Sequence, residues 1–259
     1  MGRKPSMAGP ASPPRLGSRL RRVLGLRQSF SVGGARYKEC SNETLRSAMS
    51  KRGTGRKAYD VSFRDGSRMT IECTRERCFA DLAPPPNLPM LLRTERLLRP
   101  GMRVLVIPGG TGYSAAMIAG RVAPSGSVVA IEPDAQSVEY ARHRYPIQNV
   151  SYECGGVAEL RGELDGSFDA VVAIEPRPLP PGERDVVEFW RLVAPGGWLL
   201  VAHPSAATEP GRAESLREML GGICRSETAG HPNSTSHIGS LGEGRDGWVG
   251  AVAHREKVE

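Results

Sequence analysis

The stretch Val104–Ala119, VLVIPGGTGYSAAMIA, holds three patterns in succession. Val104–Ile107 is an unbroken apolar run, as in a strand covered on both faces. Pro108-Gly109-Gly110-Thr111-Gly112 is a glycine-rich turn, and from Gly112 to about Val122 apolar residues recur at helical spacing. A strand, a tight turn and a helix N-terminus together bring backbone N–H groups toward a negatively charged ligand. Gly110 and Gly112 let the backbone approach such a ligand closely.

The same alternation continues downstream. RVLVI (103–107), SVVAI (127–131), NVSYE (149–153), FDAVVAI (168–174), GWLLVAH (197–203) and GWVGAVAHRE (247–256) read as strands. Helical patterns fall between them at about 112–122, 134–144, 182–193 and 211–223. Regular alternation of this kind predicts a mostly parallel sheet with helices on both faces, an α/β doubly wound architecture. Ligands of such sheets bind at the carboxyl ends of the strands, and the turn after RVLVI lies there. Glu132 ends the next strand, 20 residues beyond Gly112. A carboxylate at that spacing accepts both hydroxyls of a ribose. The alternative reading is a glycine turn needed only for strand–helix packing, with Glu132 a surface acid.

The chain upstream differs in character. AYDVSF (58–63) and RMTIEC (68–73) flank Arg64-Asp65-Gly66-Ser67, which predicts a β-hairpin. APPPNLP (83–89) then breaks the chain, and MLLRTERLL (90–98) reads as a lead-in helix ending at Pro100-Gly101. Residues 1–38 carry nine Lys and Arg and no acid, and read first as a disordered basic tail. A short basic amphipathic helix and an organelle transit peptide are alternatives there, and MGRKPS fits the loose myristoylation pattern. The expected organisation is a tail at 1–38, a hairpin and lead-in helix at 39–98, and a Rossmann-like domain at 99–259.

Composition, with 39% hydrophobic and 24% charged residues, fits a globular chain. No apolar run approaches the roughly 18 residues of a membrane span. The five cysteines form no CxxC pair, so no metal site is expected, and their odd number favours a reducing compartment. A cytoplasmic location is the simplest reading, with the mitochondrial matrix as the alternative that the Arg-rich start allows. Residues 1–100 hold 21 Lys and Arg against 8 Asp and Glu, whereas the remainder holds 14 against 20. A basic first part on a mildly acidic body suggests an anionic partner such as RNA, the alternative being a solvated tail.

Two cofactor classes fit the loop alone. GGTGYSA contains a Gly-x-Gly-x-x-Ala pattern, and VLVIPGGTGY resembles the opening of extended short-chain dehydrogenases. Those enzymes need a Tyr-x-x-x-Lys pair for proton transfer. None of the six tyrosines here has a lysine four residues later, which counts against a nicotinamide oxidoreductase.

Residues 97–259 resemble the class I S-adenosylmethionine-dependent methyltransferases. RPGMRVLVIPGGTGYSAAMIA resembles their first motif and GSVVAIEPD their second, with Glu132 in the place of the ribose-binding acid. NVSYECGGVAEL, GSFDAVVAI and FWRLVAPGGWLLVAHP resemble the third, fourth and fifth segments. The loop is locally similar to protein-L-isoaspartyl O-methyltransferases, and RVAPSGSVVAIEPDAQSVEYAR to tRNA adenine-N1 methyltransferases. The resemblance implies a seven-stranded sheet whose last strand, here GWVGAVAHRE, inserts antiparallel. It also implies S-adenosyl-L-methionine as cofactor, held by Gly109, Gly110, Thr111, Gly112, Glu132, Pro133, Gly156 and Val157.

The chain departs from the family's pattern at three positions. Val106 stands where an acid is usual, Pro108 where glycine is usual, and Gly156 where an acid usually meets the adenine amino group. The expected function is methylation of a macromolecule, protein or RNA. The alternative is a degenerate methyltransferase fold that binds RNA or protein without catalysis. In-line methyl transfer needs positioning more than acid–base chemistry, so no catalytic residue is assigned. Glu175, His203, His231 and His237 are secondary candidates, with ordinary structural roles as the simpler reading. Trp190, Trp198 and Trp248 read as packing residues, and HPNSTSH (231–237) as a polar loop.

Overall fold

The computed structural model describes residues 29–40, 57–73, 88–174, 182–204, 212–228, 236–240 and 248–256. They form two sheets. The larger is built from β5 (Arg103–Ile107), β6 (Ser127–Glu132), β7 (Val150–Cys154), β8 (Phe168–Ile174), β9 (Val193–Pro204), β10 (Ser236–Ser240) and β11 (Trp248–Arg255). Its strand order is β10-β11-β9-β8-β5-β6-β7. The pairs from β7 across to β9 are parallel, and β11 inserts antiparallel between β9 and β10. This is the Rossmann-like, mostly parallel seven-stranded sheet that the alternating pattern and the resemblance implied.

The central strands are apolar because both faces are covered. Val104, Leu105, Val106 and Ile107 are all buried, as are Ala170–Ile174 of β8. Helices α1 (Leu88–Thr94), α2 (Tyr113–Val122) and α3 (Ala135–Arg144) cover one face, packing Met90, Ile118, Val122 and Val138 on Val104, Val106 and Val128. Helices α4 (Glu183–Leu192) and α5 (Arg212–Thr228) cover the other. There Val186, Phe189, Trp190 and Leu220 meet Leu105, Val171, Leu199 and Val201. Chain order reverses between β5 and β8, which opens the ligand crevice at their carboxyl ends.

Three details differ from the sequence reading. The lead-in helix occupies Leu88–Thr94 rather than 90–98, because residues 95–97 close as a turn through the Leu97 N–H to Thr94 O bond. Pro195-Gly196-Gly197 is not the entry to a strand but an irregularity inside β9, where its register against β8 shifts between Phe168 and Ala170. Residues 236–240, partly within the expected polar loop, form strand β10, which among the described residues is an edge strand paired to β11.

The second sheet contains β1 (Ser29–Val32), β2 (Ala35–Glu39), β3 (Lys57–Ser62) and β4 (Arg68–Cys73), antiparallel throughout. The expected Asp-Gly hairpin is its β3–β4 half. Its β1–β2 half, Ser29–Glu39, lies almost wholly in residues 1–38, the segment read as tail, and corrects that reading for residues 29–38. The turn is Gly33-Gly34, with φ of 49° and 83°, the backbone a two-residue hairpin demands. Residues 1–28 lie outside the described part.

The small sheet docks on α3. Tyr37, Tyr59, Val61, Phe63 and Ile71 form a core with Tyr140 of that helix. The Tyr37 and Tyr140 hydroxyls hydrogen-bond to each other, and Phe63 meets the Tyr140 ring edge-on at 5.7 Å. Arg144 Nη1 donates to Gly33 O at 2.8 Å. His143 stacks on Phe63, and its Nδ1 lies 2.8 Å from Asp65 Oδ2 and 3.0 Å from Ser67 Oγ. Helix α3 is therefore buried on two sides. Val138 and Ala141 face the large sheet, and Tyr140, His143 and Arg144 the small one.

Asp65 carries a pH signature of the hairpin turn and, through His143, of this docking. The Ser67 hydroxyl, the Ser67 N–H and then His143 hold its carboxyl down to about 2. A carboxyl depressed on folding contributes stability above its unfolded value, and loses it as pH falls through the folded one. Asp65→Asn is expected to flatten the acid limb of a Tm-against-pH curve between about pH 4 and pH 2. An acid limb identical to wild type contradicts this.

Candidate functional site

The carboxyl ends of β5, β6 and β7 are tied together by backbone. Gly109 N–H donates to Ile131 O at 2.7 Å, and Gly155 N–H to Glu132 O at 3.1 Å. Cys154 Sγ lies 3.8 Å from Pro133 O. These bonds bring the sequence-predicted residues into one row of turns. Gly109–Gly112 follow β5, Glu132 and Pro133 close β6, and Gly156 and Val157 follow β7. Val157 packs its side chain on the α4–α5 core, so it offers this edge only backbone.

Glu132 is the centre of the row. It is 7% exposed, yet both carboxylate oxygens have partners. Oε2 accepts the Gly110 N–H at 2.8 Å, and Oε1 the Asp134 N–H at 3.2 Å. An ionised carboxylate has about four acceptor positions, so about two remain. Glu132 thus holds the glycine loop while keeping capacity for two further donors, such as adjacent hydroxyls.

The loop closes through Gly112 N–H to Gly109 O at 3.1 Å, and Ala116 N–H to Gly112 O begins α2. Among the described residues no side chain caps this helix, and its first N–H groups lie ahead of the first helical bond, at the positive end of the dipole. An anionic group is favoured there. Val106, at the position of the usual acid, is 2% exposed and belongs to the α2–α3 core. Pro108 is half-buried beside the loop.

One acid escaped the sequence reading. Glu159 Oε2 accepts the Gly156 N–H at 2.7 Å, which also lowers the Glu159 pKa. A carboxylate therefore does stand at Gly156, supplied from three residues further on. The signal was local: an acid that reaches back three residues to a turn's first N–H is half of a capping box. Arg191 braces this turn by donating to Leu160 O at 3.0 Å and Glu163 O at 2.9 Å. The sequence marked Asp134 only as a helix start, and Gln136 escaped notice. Asp134 caps α3 by accepting the Gln136 N–H at 3.3 Å and the Ser137 hydroxyl at 2.6 Å.

The secondary candidates separate from this row. His203 is buried at the end of β9, where Nδ1 donates to Pro204 O at 3.0 Å. Trp190 is a buried core residue, and Trp198 packs on His254 at 4.3 Å. Glu175 and His231 lie outside the described residues, as do the side chains of His237 and Trp248.

Gly112 and Gly110 serve different purposes. A Cβ at Gly112, where φ is 91°, meets the Ala141 Cβ at 2.7 Å and the Tyr145 ring at 3.0 Å. At Gly110, φ is 55° and nothing lies within 4 Å of the added carbon. Gly110→Ala is expected to cost about 1 kcal/mol, the left-handed backbone penalty alone. Gly112→Ala is expected to cost roughly 2–4 kcal/mol, because overpacking adds to that penalty. Denaturant unfolding checks both, and equal losses contradict the packing role given to Gly112.

Residues 104–197 match the methyltransferase domain family. The arsenite methyltransferase of Aquipseudomonas alcaligenes is 33% identical over 136 residues, 48% of this chain and 39% of that protein. The ubiquinone/menaquinone biosynthesis C-methyltransferase UbiE of Hydrogenovibrio crunogenus is 33% identical over 118 residues, 44% of this chain and 46% of that one. The chain thus spans less than half the length of these curated relatives. Among solved structures, the complex of the Haloferax volcanii Trm112 methyltransferase activator with a methyltransferase contains a similar fold. Its TM-score is 0.53 at 15% identity, covering 70% of this chain and 94% of that one. Residues 104–197 thus carry the sequence pattern of the methyltransferase domain family, and the fold built around them is one shared with the methyltransferase of that complex.

Proposed function

We propose that the chain is an S-adenosylmethionine-dependent methyltransferase whose acceptor is a macromolecule, protein or RNA. The observation that carries the cofactor assignment is Glu132, a buried carboxylate at the end of β6 with about two acceptor positions left. It would take the ribose hydroxyls. The loop Gly109-Gly110-Thr111-Gly112 and the uncapped start of α2 would take the amino-acid carboxylate. Pro133, Gly156 and Val157 would border the base, with Glu159 supplying the acid that Gly156 lacks. The donor and acceptor set fits this cofactor, which when bound supplies a methyl group on a positively charged sulfur.

The protein's part is orientation. Gly110 is pinned by Glu132 and Gly109 by Ile131, so the protein's own hydrogen bonds hold the shape of the loop. Positioning of this kind lowers the barrier of a displacement without a proton-transfer residue. The macromolecular acceptor is supported by charge. On the small sheet, Arg36, Ser62 and Arg68 stand in one cross-strand row and Lys38 in the next, and all three cations are exposed. The arsenite and UbiE relatives carry other acceptors in their names, so the acceptor rests on this surface and not on them.

Isothermal calorimetry tests the cofactor reading. Saturable binding of S-adenosylhomocysteine is expected, with none of NADPH. Glu132→Ala should weaken that binding by about 100-fold or more, as expected for two lost charge-assisted hydrogen bonds. No heat with S-adenosylhomocysteine at millimolar concentration overturns the enzyme reading and leaves a methyltransferase fold acting as a binding module. NADPH binding alone returns the loop to the oxidoreductases.

A further inference from the structure

Among the described residues, the small sheet ends at β4, whose one strand neighbour is β3 and whose outer side is a sheet edge. Such an edge exposes unpaired backbone groups. Here a side chain completes it. Gln136 Oε1 accepts the Glu72 N–H at 3.1 Å, and Gln136 Nε2 donates to Thr70 O at 2.8 Å. The carboxamide acts as one residue of a fifth strand, offering an acceptor and a donor at the spacing the edge presents.

Gln136 lies in the first turn of α3, close to Glu132. Its own N–H is accepted by Asp134 Oδ1 at 3.3 Å. The Asp134 N–H is accepted by Glu132 Oε1 at 3.2 Å, and Glu132 Oε2 accepts the Gly110 N–H at 2.8 Å. A continuous path of hydrogen bonds thus runs from the β4 backbone to the glycine loop. Each link restricts the next. The Gln136 carboxamide fixes the first turn of α3 against the sheet. That turn fixes Asp134, and Asp134 fixes the plane of the Glu132 carboxylate.

Resting on the cofactor reading above, we propose that Gln136 is a positioning residue for the cofactor. It sets the orientation of Glu132 from the docked sheet without touching the ligand. The small sheet is then part of the cofactor site's support as well as a surface. A residue of this kind acts through another, so its effect is a coupling and not a contact.

The test is calorimetry with S-adenosylhomocysteine on the full-length chain, at a temperature where circular dichroism shows every variant folded. Gln136→Ala is expected to weaken binding about tenfold. Gln136→Glu keeps the acceptor for Glu72 N–H and loses the donor to Thr70 O, so it should fall between wild type and Gln136→Ala and serves if the alanine variant does not fold. Tyr37→Phe removes the hydroxyl bond to Tyr140 in the same interface but off the path, and should leave affinity within about twofold of wild type. In combination with Glu132→Gln, the Gln136 substitution should add less than its own tenfold, because both act on one carboxylate.

Unchanged affinity in Gln136→Ala overturns the proposal. So does an equal loss in Tyr37→Phe, which would mark general loosening of the interface, or full additivity with Glu132→Gln. If the wild-type chain itself does not bind S-adenosylhomocysteine, the cofactor reading fails, and the two failures are thereby told apart.

Discussion

The hydrogen bond between the Glu132 carboxylate and the Gly110 N–H, 2.8 Å long, joins the two parts on which the rest of the site depends. One end is the last residue of a buried parallel strand, and the other is the turn that starts the first large helix. A buried charge is tolerated only when its acceptors are used. Glu132 meets that condition with two backbone N–H groups and leaves room for two more donors. The same atoms therefore satisfy the fold and define where a diol could bind. On the proposed reading, deleting them disturbs both loop geometry and ligand affinity.

Helix α3 extends that system outward. Surface helices of α/β folds usually bury one stripe and solvate the other. This one buries Val138 and Ala141 on the large sheet and Tyr140 and Arg144 under the small one. The two sheets thus share a helix whose first turn follows directly on Glu132. Arg36 and Lys38 of β2 and Arg68 of β4 are exposed on the face of the small sheet away from this shared core. A macromolecule held there would lie on the element that supports the cofactor edge.

Much of the large sheet was legible because its central strands are apolar runs between turn residues. FDAVVAI coincides with β8 from end to end, and the helix read from about Asp134 begins at Ala135 with Asp134 as its cap. The small sheet was half legible. Asp65-Gly66 announced the β3–β4 turn, but Gly33-Gly34 lay in a Lys- and Arg-rich segment whose composition outweighed its turn signal. Edge strand β10 escaped because SHIGS has one large apolar residue, and its partner β11 supplies the pairing.

At the candidate site, the loop and Glu132 were readable from spacing, since strand, turn and acid recur at set intervals. The contacts that sequence cannot show are those made by side chains turning back. Glu159 reaches Gly156 across a turn, and Gln136 meets a strand 64 and 66 residues away in the chain. No periodicity encodes either.

The central claim is that Glu132 serves the loop and the ribose at once. The most direct measurement is a crystal structure of the chain soaked with S-adenosylhomocysteine. The account predicts both ribose hydroxyls within hydrogen-bond distance of the Glu132 carboxylate, with the Gly110 N–H bond retained. A ligand bound elsewhere, or a Glu132 that releases Gly110 to bind it, would contradict the account.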